Sequence, residues 1–428
     1  MKRYESYKDS GVKWLGEIPG HWEVIRLKAL LIERIEKNNN KENLIILSLL
    51  KDKGIIPYDE KGAIGNNSKE DLSQYKIARK GDLVINSMNV IIGSVGITQY
   101  DGYISPAYYS FKPKGIINLI YYYYLMTLRS VQQSIRCYSK GIMEIRLRIT
   151  SNDFLSMPFP FPPKSEQTAI ANYLNSVTSK IDEAISQQQK MIDLLNERKQ
   201  IIIQNAVTKG LDPNAKMKDS GVEWIGEIPE NWEVIKCSYV FSGIGSGTTP
   251  KSSNEYYYTN EGVNFLQTGD LNDGYINDTT KKITDKALKE INLKIYSKNS
   301  LIIAMYGATI GKLGILNVCT TVNQACCVLP QTKKISIKYA FYMYMIARKD
   351  LIIKSRGGGQ PNISQDTIRN QKIIVPTKND QEEIVEHIEK MINPIDSSIS
   401  QCNKMISLLQ ERKQIIINDV VTGKVKVI

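Results

Sequence analysis

His21 and His387 are the two imidazoles in 428 residues, so any histidine-dependent chemistry has to pass through one of them. A Ser-His or Cys-His nucleophile needs a base held beside the attacking group, and a zinc site needs several imidazoles or thiolates converging. Neither histidine recurs in the internal repeat described below, where Asn231 stands for His21 and Tyr173 for His387. Six cysteines (Cys137, Cys237, Cys319, Cys326, Cys327 and Cys402) include no C-x-x-C pair. They read as reduced thiols, with Cys326 and Cys327 in an apolar run that belongs in a core. Gly307–Lys312 (GATIGK) has three residues between its glycines where a phosphate-binding loop has four, and Leu313 follows instead of Ser or Thr. Glu197/Lys199 and Glu411/Lys413 have a nuclease-like Glu-x-Lys spacing but no acidic partner block, so they read as helix charges. The chain therefore reads as non-catalytic, with no metal and no cofactor of its own.

Two more stretches invite a methyl-transfer reading. Phe241–Gly247 (FSGIGSG) resembles the glycine-rich cofactor loop of cytosine-C5 DNA methyltransferases. That chemistry needs a cysteine nucleophile after proline and a carboxylate in Glu-Asn-Val, and neither motif occurs. Ser105–Tyr108 (SPAY) resembles the S-P-P-Y motif of amino-methyltransferases without its second proline, and its repeat partner is Asn323–Cys326 (NQAC).

What organises the chain is a tandem repeat. Lys8–Arg26 returns 210 residues later as Lys218–Lys236, with 14 of 19 positions identical. Lys164–Thr208 returns at Lys378–Thr422 with 22 of 45 identical, and Lys190–Ile203 matches Lys404–Ile417 at 12 of 14. Between these shared parts the blocks at about 26–160 and 237–375 diverge. Echoes survive, as where Lys80–Ile97 lies over Lys298–Ile315 and both end in G-x-x-G-I. The boundaries that follow are 1–163 and 211–377 for two variable domains, and 164–210 and 378–428 for two shared helical regions.

The shared regions carry an apolar seam spaced alternately four and three. Leu174, Ile181, Met191, Leu195 and Ile202 mark it in the first copy, and Ile388, Ile395, Met405, Leu409 and Ile416 in the second. Pro394 cannot sit in a helix interior without removing a hydrogen bond, so a new helix is expected to start there. That predicts a short helix over 379–391, a long one over 394–421, and a break near Ser179–Lys180 in the first copy. Helices of about 28 residues would span roughly 42 Å and should pair antiparallel.

In the variable blocks, Leu44–Leu50, Asp82–Asn86, Leu301–Met305 and Lys372–Val375 read as strands. Ile117–Tyr138 and Ile337–Ser355 read as helices, with Tyr121–Tyr124 as core. Pro158–Lys164, Lys209–Ala215 and Val375–Asp380 read as linkers. The fold class is thus α+β, two mixed α/β domains separated by a pair of long antiparallel coiled-coil helices.

An excess of 56 Lys+Arg over 44 Asp+Glu, without a basic tail, favours a polyanionic partner such as nucleic acid. The start of the chain lacks the apolar core of a signal peptide and no apolar run is long enough to span a bilayer, which points to the cytoplasm and to no membrane partner.

Together these features resemble the specificity subunits (HsdS) of type I restriction-modification systems over the whole chain. The resemblance rests on W-x-G-E-I-P-x-x-W-E-V at Trp14–Val24 and Trp224–Val234, and on the GxTP-type loop at Gly245–Pro250. The G-x-x-G-I turns, the run Gly357–Asn362 and the paired L-L-x-E-R-K-Q-x-I-I helix ends add to it. It implies two target-recognition domains that read an asymmetric, split site in double-stranded DNA. It further implies a complex with two methyltransferase subunits and two restriction subunits, which would bring the S-adenosylmethionine and ATP sites. Two alternatives stand beside it, a specificity subunit of a type IIB-like system and a structural coiled-coil scaffold without DNA. Self-association of the isolated chain through its apolar helix stripes is a further expectation.

Base readout calls for Arg or Lys at guanine and Asn or Gln at adenine, with small or hydroxyl residues where backbone approaches closely. On that basis the first block offers Ser48, Lys51, Asn86, Asn89, Lys140, Arg146 and Arg148, the last two alternating on one side of a strand or loop. The second block offers Ser246, Thr248, Thr249, Gln267, Thr268, Tyr306, Gln360 and Asn362. The glycines Gly245, Gly247 and Gly357–Gly359 fit either turns or points of close backbone approach.

Overall fold

The computed structural model describes residues 2–38, 43–51, 53–62, 68, 71–139, 147–355 and 361–427. The chain forms two compact units, residues 1–189 with 403–428 and residues 190–402. Each is a mixed domain of two four-stranded sheets with helices packed on them. Among the described residues, no helix is long and apolar enough to cross a membrane.

In the first unit the strand Leu83–Asn86 is buried along its whole length, as expected of a continuous apolar run covered on both faces. It lies between Tyr108–Pro113 and Val95–Ile97, antiparallel to both. The second sheet centres on Ile45–Leu50, whose Leu47 and Leu49 point inward while Ser48 between them stays half-buried. The helices α1 (Leu119–Met126) and α2 (Arg129–Tyr138) close the core with Tyr121, Tyr122, Leu125, Val131 and Ile135. The expected single helix over 117–138 is split because Thr127 Oγ1 bonds back to the Tyr124 carbonyl at 2.7 Å and Leu128 turns extended.

Two long helices complete the cores. α3 spans Lys164–Lys209, and after α4 (Ile337–Ile353) α5 spans Lys378–Val421. The first unit holds the start of α3 and the end of α5, through Ile170, Leu174, Ile417, Val420 and Val421. The second unit holds the end of α3 and the start of α5, through Ile203, Ala206, Val207, Ile384, Ile388 and Ile392. Within each unit the two segments run antiparallel and are joined by a matching cross-helix ion pair. These are Lys413–Asp182 at 2.7 Å in the first and Lys199–Asp396 at 2.6 Å in the second, the same pair shifted by 214 residues.

The helix ends are fixed by matched contacts. The indole of Trp22 donates to Glu166 at 3.0 Å in the first turn of α3, and Trp232 donates to Asp380 at 2.7 Å in the first turn of α5. Gln167 and Gln381 bridge the chain on either side: each donates to a proline carbonyl (Pro162, Pro376) and accepts a backbone N–H (Asn118, Ser336). Tyr121 Oη donates to the Val421 carbonyl at 2.9 Å, and Tyr339 Oη to the Val207 carbonyl at 3.1 Å. Each hydroxyl satisfies one of the carbonyls that a helix leaves open at its C-terminus.

Three expectations need correction. α5 is continuous, with Pro394 inside it, and α3 shows no break at Ser179–Lys180. A proline there removes one hydrogen bond, but Ile388, Ile392 and Ile395, all buried, hold the helix on both sides of the gap. The helices, at 46 and 44 residues, therefore extend about 69 and 66 Å rather than about 42 Å. Pro158–Phe161 is also not a linker but a strand antiparallel to Glu23–Arg26, matched by Lys372–Val375 against Glu233–Lys236. Prolines fit there because an edge strand needs donors only at alternate residues, and Phe159 is driven into the core.

Replacing Tyr121 or Tyr339 by Phe should each cost about 1–2 kcal/mol, since a buried helix-end carbonyl loses its donor. Lys413→Ala, at a solvent-facing ion pair, should cost less than about 1 kcal/mol. Denaturant unfolding of the three variants checks this order.

Candidate nucleic-acid interface

Corresponding hydrogen bonds put the two variable domains in register. Ser87 N donates to the Ala107 carbonyl and Ile149 N to the Ser87 carbonyl; Met305, Ala325 and Ile363 repeat both contacts. This sets Met88 against Tyr306 and Arg148 against Asn362. The parallel pairs Ile45↔Gly102 and Asn264↔Thr320 likewise set Ser48 against Gln267. Three pairs of positions thus fall on the same places in two folds, with unlike side chains, and in two of them both residues are ones the sequence had offered. One strand differs: Gly54–Pro57 pairs antiparallel with Ile45–Leu50, while its counterpart Gly274–Ile276 pairs parallel with Leu313–Leu316.

In the first domain Ser48, Lys51, Asn86 and Asn89 line one cleft of about 410 Å³, together with Tyr58, Met88, Ser105 and Tyr108. Asn86 ends its strand and is buried; its side-chain oxygen accepts from Met88 N at 3.1 Å, shaping a turn that leaves Met88 and Asn89 exposed. Arg148 is exposed beside this turn, its Nε 3.1 Å from Ser87 Oγ. Lys140 and Arg146 lie outside the described residues, as does the alternation of Arg146 with Arg148.

In the second domain the loop Ser246–Thr249 lies along Val322–Gln324, where Gly247 N donates to the Asn323 carbonyl at 3.3 Å and Thr249 Oγ1 bonds Gln324 Oε1. A Cβ on Gly247 would sit 1.6 Å from the Val322 carbonyl oxygen, and one on Gly245 2.6 Å from Tyr296 Oη. Both glycines therefore serve a close approach within the protein. Gln267 caps the turn Thr268–Asp270, its N–H donating to Asp270 at 2.8 Å, and Asn323 N donates to the Leu266 carbonyl beside it. Tyr306 pairs with Asn362 in an isolated bridge next to Ala325. Ser246, Thr248, Thr249, Gln267, Thr268, Tyr306 and Asn362 therefore gather around one edge. Gln360 and Gly357–Gly359 lie outside the described residues.

Sequence reasoning passed over Met88, Asn323 and Gln324. The last two belong to NQAC, and the structure makes NQAC and SPAY the same tight turn in the two domains: Asn323 Oδ1 accepts from Ala325 N, and Ser105 Oγ accepts from Ala107 N. The repeat pairing of these tetrapeptides was the available signal.

Burial drives the Cys237 thiol to about 11 and the Cys327 thiol to about 12, so both are protonated and poor nucleophiles at neutral pH. Cys326, next to Cys327 in the same strand, is buried in a separate core cluster. Among the described residues no group of three or more His, Cys, Asp or Glu side chains is arranged to hold a metal.

The long helices expose apolar stripes. Met191, Leu194 and Ile201 on α3, and Met405, Leu408 and Ile415 on α5, are half-exposed or more, at a constant shift of 214. Met191 and Met405 thus face outward, whereas Leu174 and Ile388 are fully buried and Ile181 and Ile395 nearly so. Leu195, Ile202, Leu409 and Ile416 are half-buried.

Residues 19–192 and 229–406 each match the type I restriction modification DNA specificity domain, and the chain belongs to that family, the HsdS specificity subunits. The type I restriction enzyme MjaVIII specificity subunit of Methanocaldococcus jannaschii is 25% identical over 98% of this chain and 97% of its own. The MjaX counterpart from the same organism, provisionally assigned the same role, is 27% identical over 98% of both chains. A solved chain from work on complex assembly and conformational transition of the type I R-M system shares the fold, with a TM-score of 0.70. It is 15% identical and covers 95% of this chain and 99% of that one.

At the base of the first domain, Glu166 accepts from His21 at 2.6 Å, Trp22 at 3.0 Å and Tyr4 at 2.8 Å. Burial raises this carboxyl, but the three donors outweigh it and hold the group below its ordinary 4.5. A depressed carboxyl contributes stability that is present above the unfolded value and lost as pH falls through the folded one. Thermal melts from pH 7 downward should therefore show wild type losing its advantage over Glu166→Gln below about pH 4.5.

Proposed function

We propose that this chain is the non-catalytic DNA reader of a type I restriction-modification complex, recognising a split site with two unlike halves, one per variable domain. The observation that carries this is the set of equivalent positions holding different recognition chemistry: Ser48 and Gln267, Met88 and Tyr306, Arg148 and Asn362. Arg148 suits a guanine edge, while Gln267 and Asn362 suit adenine. Two scaffolds that agree in their buried contacts and differ at this edge are what a two-part, asymmetric site requires. Lys51, Asn86 and Asn89 would complete the first surface, and Ser246, Thr248, Thr249, Thr268 and Tyr306 the second.

The stripes Met191–Leu194–Ile201 and Met405–Leu408–Ile415 suit two copies of one partner, because the same residues recur on both helices. In this reading the partner is the methyltransferase subunit, and two restriction subunits join for cleavage, all in the cytoplasm. Without partners the same stripes would pair isolated chains. Light scattering at micromolar concentration should then report a dimer, and a monomer would remove that part of the reading.

Co-expression with the cognate methyltransferase and mapping of methylated bases tests the central reading. A split motif with unlike halves is expected, and exchanging residues 237–375 for those of another specificity subunit should change one half only. Gln267→Ala and Asn362→Ala should each reduce discrimination by about 1–3 kcal/mol per contacted base, in the same half, with little loss of fold stability. A palindromic motif, or a domain exchange that changes neither half, would sink the proposal.

A further inference from the structure

The two units carry the same socket and fill it differently. In the first, Glu166 binds the Trp22 indole and the Tyr4 hydroxyl together, and the Tyr4 ring lies edge-on to Trp22 with centroids 6.0 Å apart. Lys426 Nζ stands 5.8 Å from the centre of the same ring. Tyr4 is thus a plug, held by an aromatic wall and a carboxylate.

The matching hairpins Tyr7–Asp9 with Glu17–Pro19 and Met217–Asp219 with Glu227–Pro229 carry Tyr4 onto Asn214 in the second unit. Asn214 is exposed, and among the described residues its side chain makes no hydrogen bond to Asp380. Asp380 accepts there from Trp232 through Oδ2, while Oδ1 has no donor among the described residues. What remains is a cavity of about 500 Å³ walled by Trp232, Pro229, Gly210, Lys209, Asp380 and Glu383. Gly210 has φ +73° and turns its bare Cα to Trp232, where a Cβ would come within 3.2 Å, so the wall at the end of α3 stays open.

We propose that this cavity is a docking socket for a tyrosine side chain presented on an extended segment of a partner protein. The phenol would donate to Asp380 Oδ2 beside the Trp232 indole and lay its ring edge on Trp232, as Tyr4 does at Glu166 Oε2 beside Trp22. A hydroxyl bonded to an ionised carboxylate is a strong, directional contact, and an aromatic anchor in a pocket concentrates binding energy. Asp212, Glu230 and Glu383 also line the cavity, against Lys209 and Lys216, so basic residues beside the tyrosine are favoured. Lys2 and Arg3 precede Tyr4 in the first unit. The socket is one-sided, because the first unit's own chain plugs the other copy. This inference stands apart from the DNA-reading proposal and does not depend on it.

The probe is a synthetic peptide of residues 2–7 (KRYESY), added to the full chain while the indole N–H signals of Trp14, Trp22, Trp224 and Trp232 are followed by NMR. The Trp232 signal should shift saturably while that of Trp22 stays, and a peptide with Ala for tyrosine at position 4 should bind at least about tenfold weaker. Asn214→Tyr should plug the socket and abolish the shift. Glu383→Lys, at an exposed side chain that leaves folding intact, should weaken binding several-fold. An unmoved Trp232 signal, equal binding of the alanine peptide, or a response that survives Asn214→Tyr overturns the proposal. A shift at Trp22 instead means exchange at the plugged socket and overturns it as well.

Discussion

The fold depends on an indole N–H bonded to a carboxylate in the first turn of a long helix. Trp22 with Glu166 and Trp232 with Asp380 join three things at one point: the lead-in hairpin, the start of one long helix and the end of another segment of helix. A carboxylate in the first turn is well placed against the helix dipole, and the bond uses the only donor that a buried tryptophan has. With that point fixed, the tyrosines Tyr121 and Tyr339 can reach the last carbonyls of the opposing helix segments. Each core is therefore finished by residues from distant parts of the chain. Neither variable domain is closed by its own block alone.

This division of labour explains the pattern of divergence. The residues that make the clamp and the helix ends do the same work in both copies: Trp22 and Trp232, Gln167 and Gln381, and Tyr121 and Tyr339 recur, and Glu166 and Asp380 each supply a carboxylate. The edge formed by the ends of Leu83–Asn86 and Leu301–Ala304 bears no such load. Its main-chain hydrogen bonds are retained while the side chains differ, and one whole strand has changed sheet partner. Loops can vary when backbone pairing alone holds them.

Much of the architecture was legible because it depends on local pattern. Four strands lie where β-branched runs are bounded by turn residues, and α4 begins where its apolar run begins. Of Tyr121–Tyr124, expected as helix core, Tyr121, Tyr122 and Tyr124 are buried and Tyr123 is half-buried. Two readings failed where tertiary packing overrode local preference. Pro394 sits in an unbroken helix, and the prolines of Pro158–Phe161 sit in a strand. At the candidate edge, residue type pointed to Gln267, Asn362 and Arg148, but nothing local pointed to Asn323 or Gln324. Those two reach the edge through a register with Leu266 and Thr249, more than fifty residues away, which no local pattern encodes.

Pro394 also makes the two rods mechanically unequal. Its missing N–H leaves the Lys390 carbonyl without its usual intrahelical donor, while Lys180 at the matching place in α3 keeps one available. A helix lacking one rung of its ladder resists bending less at that level than its intact twin. The two long helices therefore differ in compliance as well as in surface, and a force applied evenly to both would be taken up first in α5.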